Sequence, residues 1–199
     1  MNLFRPTMYR KDIFEIDYQK LKEKGITCLI FDLDNTLGMI DQKKCPAKVK
    51  KLLRRLQKDF LILINSNNTR SRLTPYLNEL GVGGYSFALK PSTRNLAKIK
   101  KIYNLKKKEM VMIGDQIVTD ILSGNKFKIM TILVDPLGEK DLKITGLNRQ
   151  VEAKIVRYYQ KRGIFERGKY YEWDRNIKNV YGMWRCFTRP KCFTRRIYN

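Results

Sequence analysis

Asp32 and Asp34 stand one residue apart at the end of the apolar run 26–32, ITCLIFD. Three more polar clusters are placed in the same way: Asn65-Ser66-Asn67-Asn68, Lys90-Pro91 and Gly114-Asp115-Gln116-Ile117-Val118-Thr119-Asp120. Aspartates, a hydroxyl and a lysine are the parts that cleavage of a phosphate monoester requires. The oxygens around phosphorus must be neutralised before a nucleophile can approach. The leaving alkoxide needs a proton, and a water must later lose one. A turn beginning after Asp32 lets Asp34 swing over the phosphorus and leaves its main-chain carbonyl for a metal. On this reading Asp32 attacks and becomes an aspartyl phosphate, while Asp34 acts first as acid and then as base. Asp115 completes a hard-oxygen site suited to Mg²⁺, which prefers carboxylates, carbonyls and waters. Ser66 and the backbone beside it are expected to hydrogen-bond the transferring group, and Lys90 to offset its charge.

These clusters form one site only if the elements before them end together. The runs 26–32, 60–65 (FLILIN), 110–113 (MVMI) and 130–134 (MTILV), with a weaker one at 85–89 (YSFAL), read as buried strands. Helical patterns lie between them. One follows Pro46 and puts Val49, Leu52, Leu53 and Leu56 on one face; others lie near 70–80, 92–103 and 117–127. This alternation predicts an α/β fold with a mostly parallel five-stranded sheet flanked by helices. Ligands of such sheets sit beyond the carboxyl ends of the strands, where the clusters stand. A last helix is predicted over 146–162. Past Gly163 the chain reads as an irregular tail rich in Tyr, Trp, Phe and Arg, so the expected division is a catalytic domain, 1–162, and a basic aromatic tail, 163–199. The tail's repeat of Cys186-Phe187-Thr188-Arg189 as Cys192-Phe193-Thr194-Arg195 is too short for a repeat architecture.

Composition narrows the chemistry. With 43% apolar and 31% charged residues in 199, the chain is that of a globular protein with a core. It has no histidine, which removes Ser-His and Cys-His nucleophiles, imidazole acid–base catalysis and histidine-bearing zinc sites. Cys28 falls inside an apolar run and reads as a core residue, while Cys186 and Cys192 read as free thiols in a reducing compartment. No apolar run approaches the ~20 residues of a membrane span. Met1–Arg10 lacks an apolar signal core, so the expected location is the cytoplasm. The net charge is +23. Residues 153–199 contribute 13 Lys/Arg against three acids, net +10. Such a field favours anionic partners: phosphates, nucleic acid or anionic lipid.

DLDNT, SNN, KP and GDQxxTD, in this order and each after an apolar run, resemble the motifs of the haloacid dehalogenase-like (HAD) phosphatases. The acid at position 34 fits members that hydrolyse phosphate esters, since relatives such as the ion-pumping ATPases carry threonine there. A closer resemblance is to the YqeG family, which includes phosphatidylglycerophosphatases. It rests on GITCLIFDLDNTL (25–37), INSNN (64–68), KP (90–91), VMIGDQIVTDILSGN (111–125), TILVDP (131–136) and LNRQVE (147–152). It covers roughly residues 6–160; the tail departs from the pattern. The resemblance implies a HAD-like Rossmannoid fold, Asp32 as nucleophile and Asp34 as acid/base. It implies Ser66 and Lys90 as phosphate ligands, with Asn67 beside them, and Mg²⁺ held by Asp32, the Asp34 carbonyl and Asp115. Asp120 is then a ligand or the partner of one. Asn35, Asn67 and Gln116 are near-site residues for which a backbone-capping role stands equally open.

HAD enzymes that act on small metabolites often carry a cap after the first or second motif. About 30 residues separate Asp34 from Ser66, and 23 separate Ser66 from Lys90, too few for a cap domain in either gap. An open site suits a phosphate presented on something large. The YqeG resemblance favours phosphatidylglycerophosphate. The basic and aromatic residues of the tail, read by themselves, suit docking on anionic headgroups at the inner face of a membrane. Two alternatives stand beside this: a phosphatase of soluble or protein phosphoesters, and a nucleic-acid- or ribosome-associated binding protein using the same basic tail. Aromatic residues that merely cover a core edge are the plainer account of that tail.

Overall fold

Apolar runs of four or five residues, flanked by turns, are long enough for a strand buried on both faces and too short for a helix. The computed structural model describes residues 3–138 and 143–172, with the side chains of 143–148 outside that description. In chain order its elements are β1 (Met8–Arg10), α1 (Tyr18–Glu23), β2 (Cys28–Phe31), α2 (Ala47–Leu56), β3 (Leu61–Asn65) and α3 (Arg70–Leu80). There follow β4 (Gly83–Tyr85), α4 (Arg94–Ile102), β5 (Met110–Gly114), α5 (Leu122–Phe127), β6 (Met130–Val134) and α6 (Lys143–Lys161). The strands form one sheet in the order β1-β6-β5-β2-β3-β4, and every pairing is parallel. The site-bearing strands β2, β3 and β5 are therefore neighbours at the centre. The gaps between Asp34 and Ser66 and between Ser66 and Lys90 hold only loops, α2 with β3, and α3 with β4, leaving no cap domain.

Both faces of the sheet are covered, as parallel sheets require. Leu29, Phe31, Ile62, Ile64, Val111 and Ile113 meet Val49, Leu52, Leu53 and Leu56 of α2 and Leu73, Tyr76 and Leu80 of α3 in one cluster. Cys28, Ile30, Leu63, Met110 and Met112 form the opposite layer with Leu96 and Ile99 of α4. Each fully buried Leu, Ile or Phe contributes about 1.5–3 kcal/mol relative to exposure, so the central strands are held strongly on both sides.

The sheet has six strands where five were expected. β1 is only three residues, MYR, and carries no apolar run; it is recruited by pairing with β6. Its other side is closed by Tyr171, whose N–H donates to the Tyr9 carbonyl at 3.0 Å while the Tyr9 N–H donates to Tyr171 O at 2.9 Å. β4 lies at 83–85 rather than 85–89. At Gly84 a Cβ would press on Leu77 at 2.7 Å and on the Ile64 carbonyl at 3.1 Å, so close approach selects the glycine over the apolar residues that follow. The helix expected over 117–127 begins as a π-helical turn, Ile117–Ile121, before α5.

The first part of the predicted tail is built into the domain. Phe165 is buried against Tyr9, with ring centroids 5.2 Å apart, and Glu172 receives Arg10 and Lys20, each at 2.5 Å. Trp173, Tyr181, Trp184, Phe187 and Phe193, with Cys186 and Cys192, lie outside the described residues. Among the described residues no helix is long and apolar enough to cross a membrane.

Candidate active site

Because β2, β3 and β5 run parallel in near-matched register, the residues just past their ends meet at one edge. The Asp32 N–H donates to the Ile113 carbonyl at 2.8 Å, which extends β2 along β5 by one residue and sets Asp32 beside the Gly114-Asp115 turn. Carboxylate oxygens of Asp32, Asp115 and Asp120 all lie within 4.8 Å of one another, and all three residues are buried. The π-helical turn supplies Asp120. Its tightness against β5 needs Gly114, because a Cβ there would collide with the Asp120 carboxylate.

Lys90 enters this cluster from the loop after β4. Its Nζ donates to Asp120 Oδ1 at 2.6 Å and makes a second, shorter bond to Asp32 Oδ1, and its side chain is 2% exposed. Burial alone would lower its pKa, but the facing carboxylates of Asp120 and Asp32 raise it, so the ammonium stays charged. One ammonium does not balance the acids. Burial pushes the Asp32 carboxyl up to about 7, with Asp120 and Asp34 adding to the rise and Lys90 opposing it. Asp115, fully buried, is raised well above the ordinary range, first by desolvation and then by Asp32 and Asp120, with Arg149 opposing. Three crowded, desolvated carboxylates form a donor set that fits a hard divalent cation such as Mg²⁺.

Asp34 is turned out of this group. Arg72 donates to its Oδ1 from Nε at 3.0 Å, and Asn68 Nδ2 donates to Oδ2 at 3.0 Å. The same guanidinium reaches the carbonyls of Gln42 (2.7 Å) and Met39 (2.9 Å) and lies over the Tyr76 ring at 4.9 Å. The turn after Asp32 is therefore pinned to α3. Asn35, at φ 61°, makes that turn: its N–H donates to Gly38 O at 2.8 Å and its carbonyl accepts from Leu137 N–H at 2.9 Å. The side chain of Asp34 is thus not in the carboxylate cluster of Asp32, Asp115 and Asp120.

Ser66, 1% exposed, accepts the Asn68 N–H on its Oγ at 3.1 Å, leaving the hydroxyl proton to donate. Asn67 makes the backbone contacts that stood open for it beside a phosphate role. Its Oδ1 accepts the Lys90 N–H at 2.7 Å and its Nδ2 donates to Lys90 O at 3.4 Å, so the side chain braces the lysine loop. Gln116 caps the π turn: its N–H donates to Asp120 Oδ2 at 3.2 Å and its Oε1 accepts from Thr119 at 3.3 Å.

Two residues at the site were not singled out from sequence. Arg72 is one. The other is Arg149 on α6, whose Nη2 donates to Asp115 Oδ2 at 2.6 Å. Arg149 lines a groove of about 850 Å³ with Leu137, Gly138, Val156, Arg157 and Arg167. Its place in the LNRQVE segment was the signal that could have found it.

The family described as "Hydrolase: haloacid dehalogenase-like hydrolase" matches residues 3–128. Probable phosphatase YqeG of Bacillus subtilis (strain 168) is 35% identical over 161 residues, covering 80% of this chain and 94% of that protein. Phosphatidylglycerophosphate phosphatase 1, chloroplastic/mitochondrial, of Arabidopsis thaliana is 24% identical over 170 residues, covering 80% of this chain and 49% of that protein. The chain therefore spans about half the length of the plant protein. Among solved structures, the HAD family enzyme bt-2542 of Bacteroides thetaiotaomicron in its magnesium complex aligns with TM-score 0.49 at 13% identity, over 58% of this chain and 96% of that one. The family match over residues 3–128 and the YqeG likeness along most of both chains make this protein a phosphatase of the haloacid dehalogenase-like hydrolase family, YqeG branch.

Proposed function

We propose that the protein is a Mg²⁺-dependent phosphomonoester hydrolase that works through an aspartyl phosphate on Asp32 and takes a lipid phosphate, phosphatidylglycerophosphate, at a membrane surface. The observation that carries the chemistry is the meeting of Asp32, Asp115 and Asp120 with Lys90 at one sheet edge. An Asp32 carboxylate oxygen attacks phosphorus as the bond to the leaving alkoxide breaks. Asp34 gives that alkoxide its proton, then takes a proton from the water that attacks the phosphorylated Asp32. Inorganic phosphate leaves and the carboxylate is restored. Lys90 and the Ser66 hydroxyl hold phosphoryl oxygens through both steps. Asp32, the Asp34 carbonyl and Asp115, with Asp120 as ligand or support, would hold Mg²⁺, which would supply neutralisation of the charge on the phosphate.

The lipid assignment is supported by the likeness to the plant phosphatidylglycerophosphate phosphatase and by the absence of a cap between the motifs, which leaves room for a phosphate carried on a large body. A net charge of +23 favours peripheral association with the anionic inner face of a membrane. The test is phosphate release from a panel of phospholipid, sugar, nucleotide and phosphopeptide monoesters, with and without Mg²⁺. Phosphatidylglycerophosphate should exceed every soluble ester in kcat/KM. Preference for a sugar phosphate or phosphopeptide would place the protein among phosphatases of soluble or protein esters.

A further inference from the structure

Phe87 and Leu89 are the two most exposed large apolar side chains among the described residues, at 60% and 69%. Both have left-handed backbone, φ 48° and 50°, which bulky side chains rarely adopt and which persists where surrounding structure imposes it. The imposing contacts come from the catalytic loop: the Phe87 N–H donates to Asn68 O and the Ala88 N–H to Ser66 O, each at 3.0 Å. The loop that delivers buried Lys90 thus lifts an apolar side chain into solvent just before it and another three residues before it. Neither side chain is needed for the core.

Met39 and Leu137, 45% and 44% exposed, stand on the loops after β2 and β6. Since every strand pairing is parallel, these loops leave the same edge of the sheet as the loop after β4. They are also close to each other: a Cβ on Gly138 would lie 3.5 Å from the Met39 side chain. Exposed basic residues share the edge, with Lys43 and Lys44 after β2 and Arg70 and Arg94 opening α3 and α4. Apolar tips among basic residues, on the edge where a phosphate must enter, form the pattern of a surface that seats at the boundary between headgroups and acyl chains.

We propose that this catalytic edge is the docking surface for an anionic lipid bilayer. Phe87, Leu89, Met39 and Leu137 enter the acyl boundary while the lysines and arginines meet headgroup phosphates. The proposal rests on the lipid reading of the function and gives it an orientation. The site faces the bilayer, so a headgroup monoester reaches Asp32 without its lipid leaving the membrane. On this proposal the loops around the site make the docking contact.

The test uses the full chain with Trp173 and Trp184 changed to Phe, carrying either Phe87→Trp or Ile102→Trp. Ile102, 56% exposed at the end of α4, is on the opposite edge and serves as control. With equimolar phosphatidylglycerol/phosphatidylcholine vesicles, the Phe87→Trp emission should shift to the blue and be quenched by brominated acyl chains, while that of Ile102→Trp should stay unchanged. The pair Phe87→Asn/Leu89→Asn, which suits left-handed backbone, should keep its melting temperature and lose at least ~tenfold in vesicle partition. Leu137→Ser, away from Lys90, should lose several-fold. Vesicle binding without quenching at position 87, undiminished binding by the Asn pair, or quenching by RNA but not by vesicles would each overturn the proposal. The failures remain separable: if Phe87→Trp inserts but the lipid phosphate is not hydrolysed, only the substrate assignment fails. If the lipid is hydrolysed while position 87 stays in water, only the docking surface fails.

Discussion

Replacing the nucleophile should stabilise the metal-free protein while abolishing turnover. Asp32 is buried, and its carboxyl stands at about 7 in the folded state against an ordinary 3.8. Between these values the folded chain holds a proton that the unfolded chain has released, so stability falls as pH rises through that window. At about 1.4 kcal/mol for each pH unit, ionising Asp32 costs the fold about 4 kcal/mol by pH 8. The attraction of Lys90 is already contained in the value of about 7, so nothing further is subtracted. Asp32→Asn keeps the shape and stays neutral. In chelator, urea unfolding at pH 8 should show the variant more stable than wild type by up to about 4 kcal/mol. That corresponds to roughly 8–16 °C in Tm for a chain of this size. The gap should close below about pH 4. Mg²⁺ at a hundredfold its Kd should return about 2.7 kcal/mol to wild type and much less to the variant. A variant no more stable than wild type at pH 8, or a gap that does not change with pH, would refute the picture of three carboxylates crowded beyond what one lysine can balance.

Four further outcomes follow from the same geometry. Arg72→Met frees Asp34 from α3; kcat should fall about 10- to 100-fold for an alkyl phosphate, within the usual worth of a positioned acid. The loss should be much smaller for p-nitrophenyl phosphate, whose leaving group needs little protonation. Activity should vanish in EDTA, return with Mg²⁺ and recover poorly with Ca²⁺, whose looser coordination misplaces the nucleophile; full activity in chelator would contradict the metal site. Phe165→Ala empties a buried site against Tyr9 and should cost about 3–5 kcal/mol. Truncation after Gly163 should therefore lower Tm and reduce turnover of soluble and lipid substrates alike, whereas a loss confined to lipid would restore the tail as a docking element.

The central strands were legible because each is an apolar run that ends in a polar cluster. ITCLIFD before Asp32 and MVMI before Gly114-Asp115 could hardly be placed elsewhere. β1 was not legible: in MYR two apolar residues precede an arginine, too short a stretch to show any period, and only β6 and Tyr171 make it a strand. β4 was placed two residues late at its start and four at its end because YSFAL looks more strand-like than GGY. What decides there is close packing against Leu77 and Ile64, a property of the fold. The convergence of Asp32, Asp115 and Asp120 with Lys90 followed from motif order. The partners of the acids did not. Arg72 lies 38 residues from Asp34 and Arg149 lies 34 from Asp115, and nothing in one sequence marks which of 42 basic residues turns inward. For Asn67 the sequence left phosphate contact and backbone capping both open, and only the folded loop shows its amide bracing Lys90.

The measurement that bears most directly on the account is acid quenching of the full-length protein during Mg²⁺-dependent turnover, followed by peptide mass analysis. One phosphoryl group should be found on the peptide carrying Asp32, acid-stable and released by hydroxylamine, and borohydride should convert Asp32 itself to homoserine. Asp32→Asn should trap none. A phosphoryl group on another residue, or steady turnover with none trapped at any quench time and more than about a tenth of wild-type activity left in Asp32→Asn, a deficit of only ~1.4 kcal/mol, would show that Asp32 is not the nucleophile.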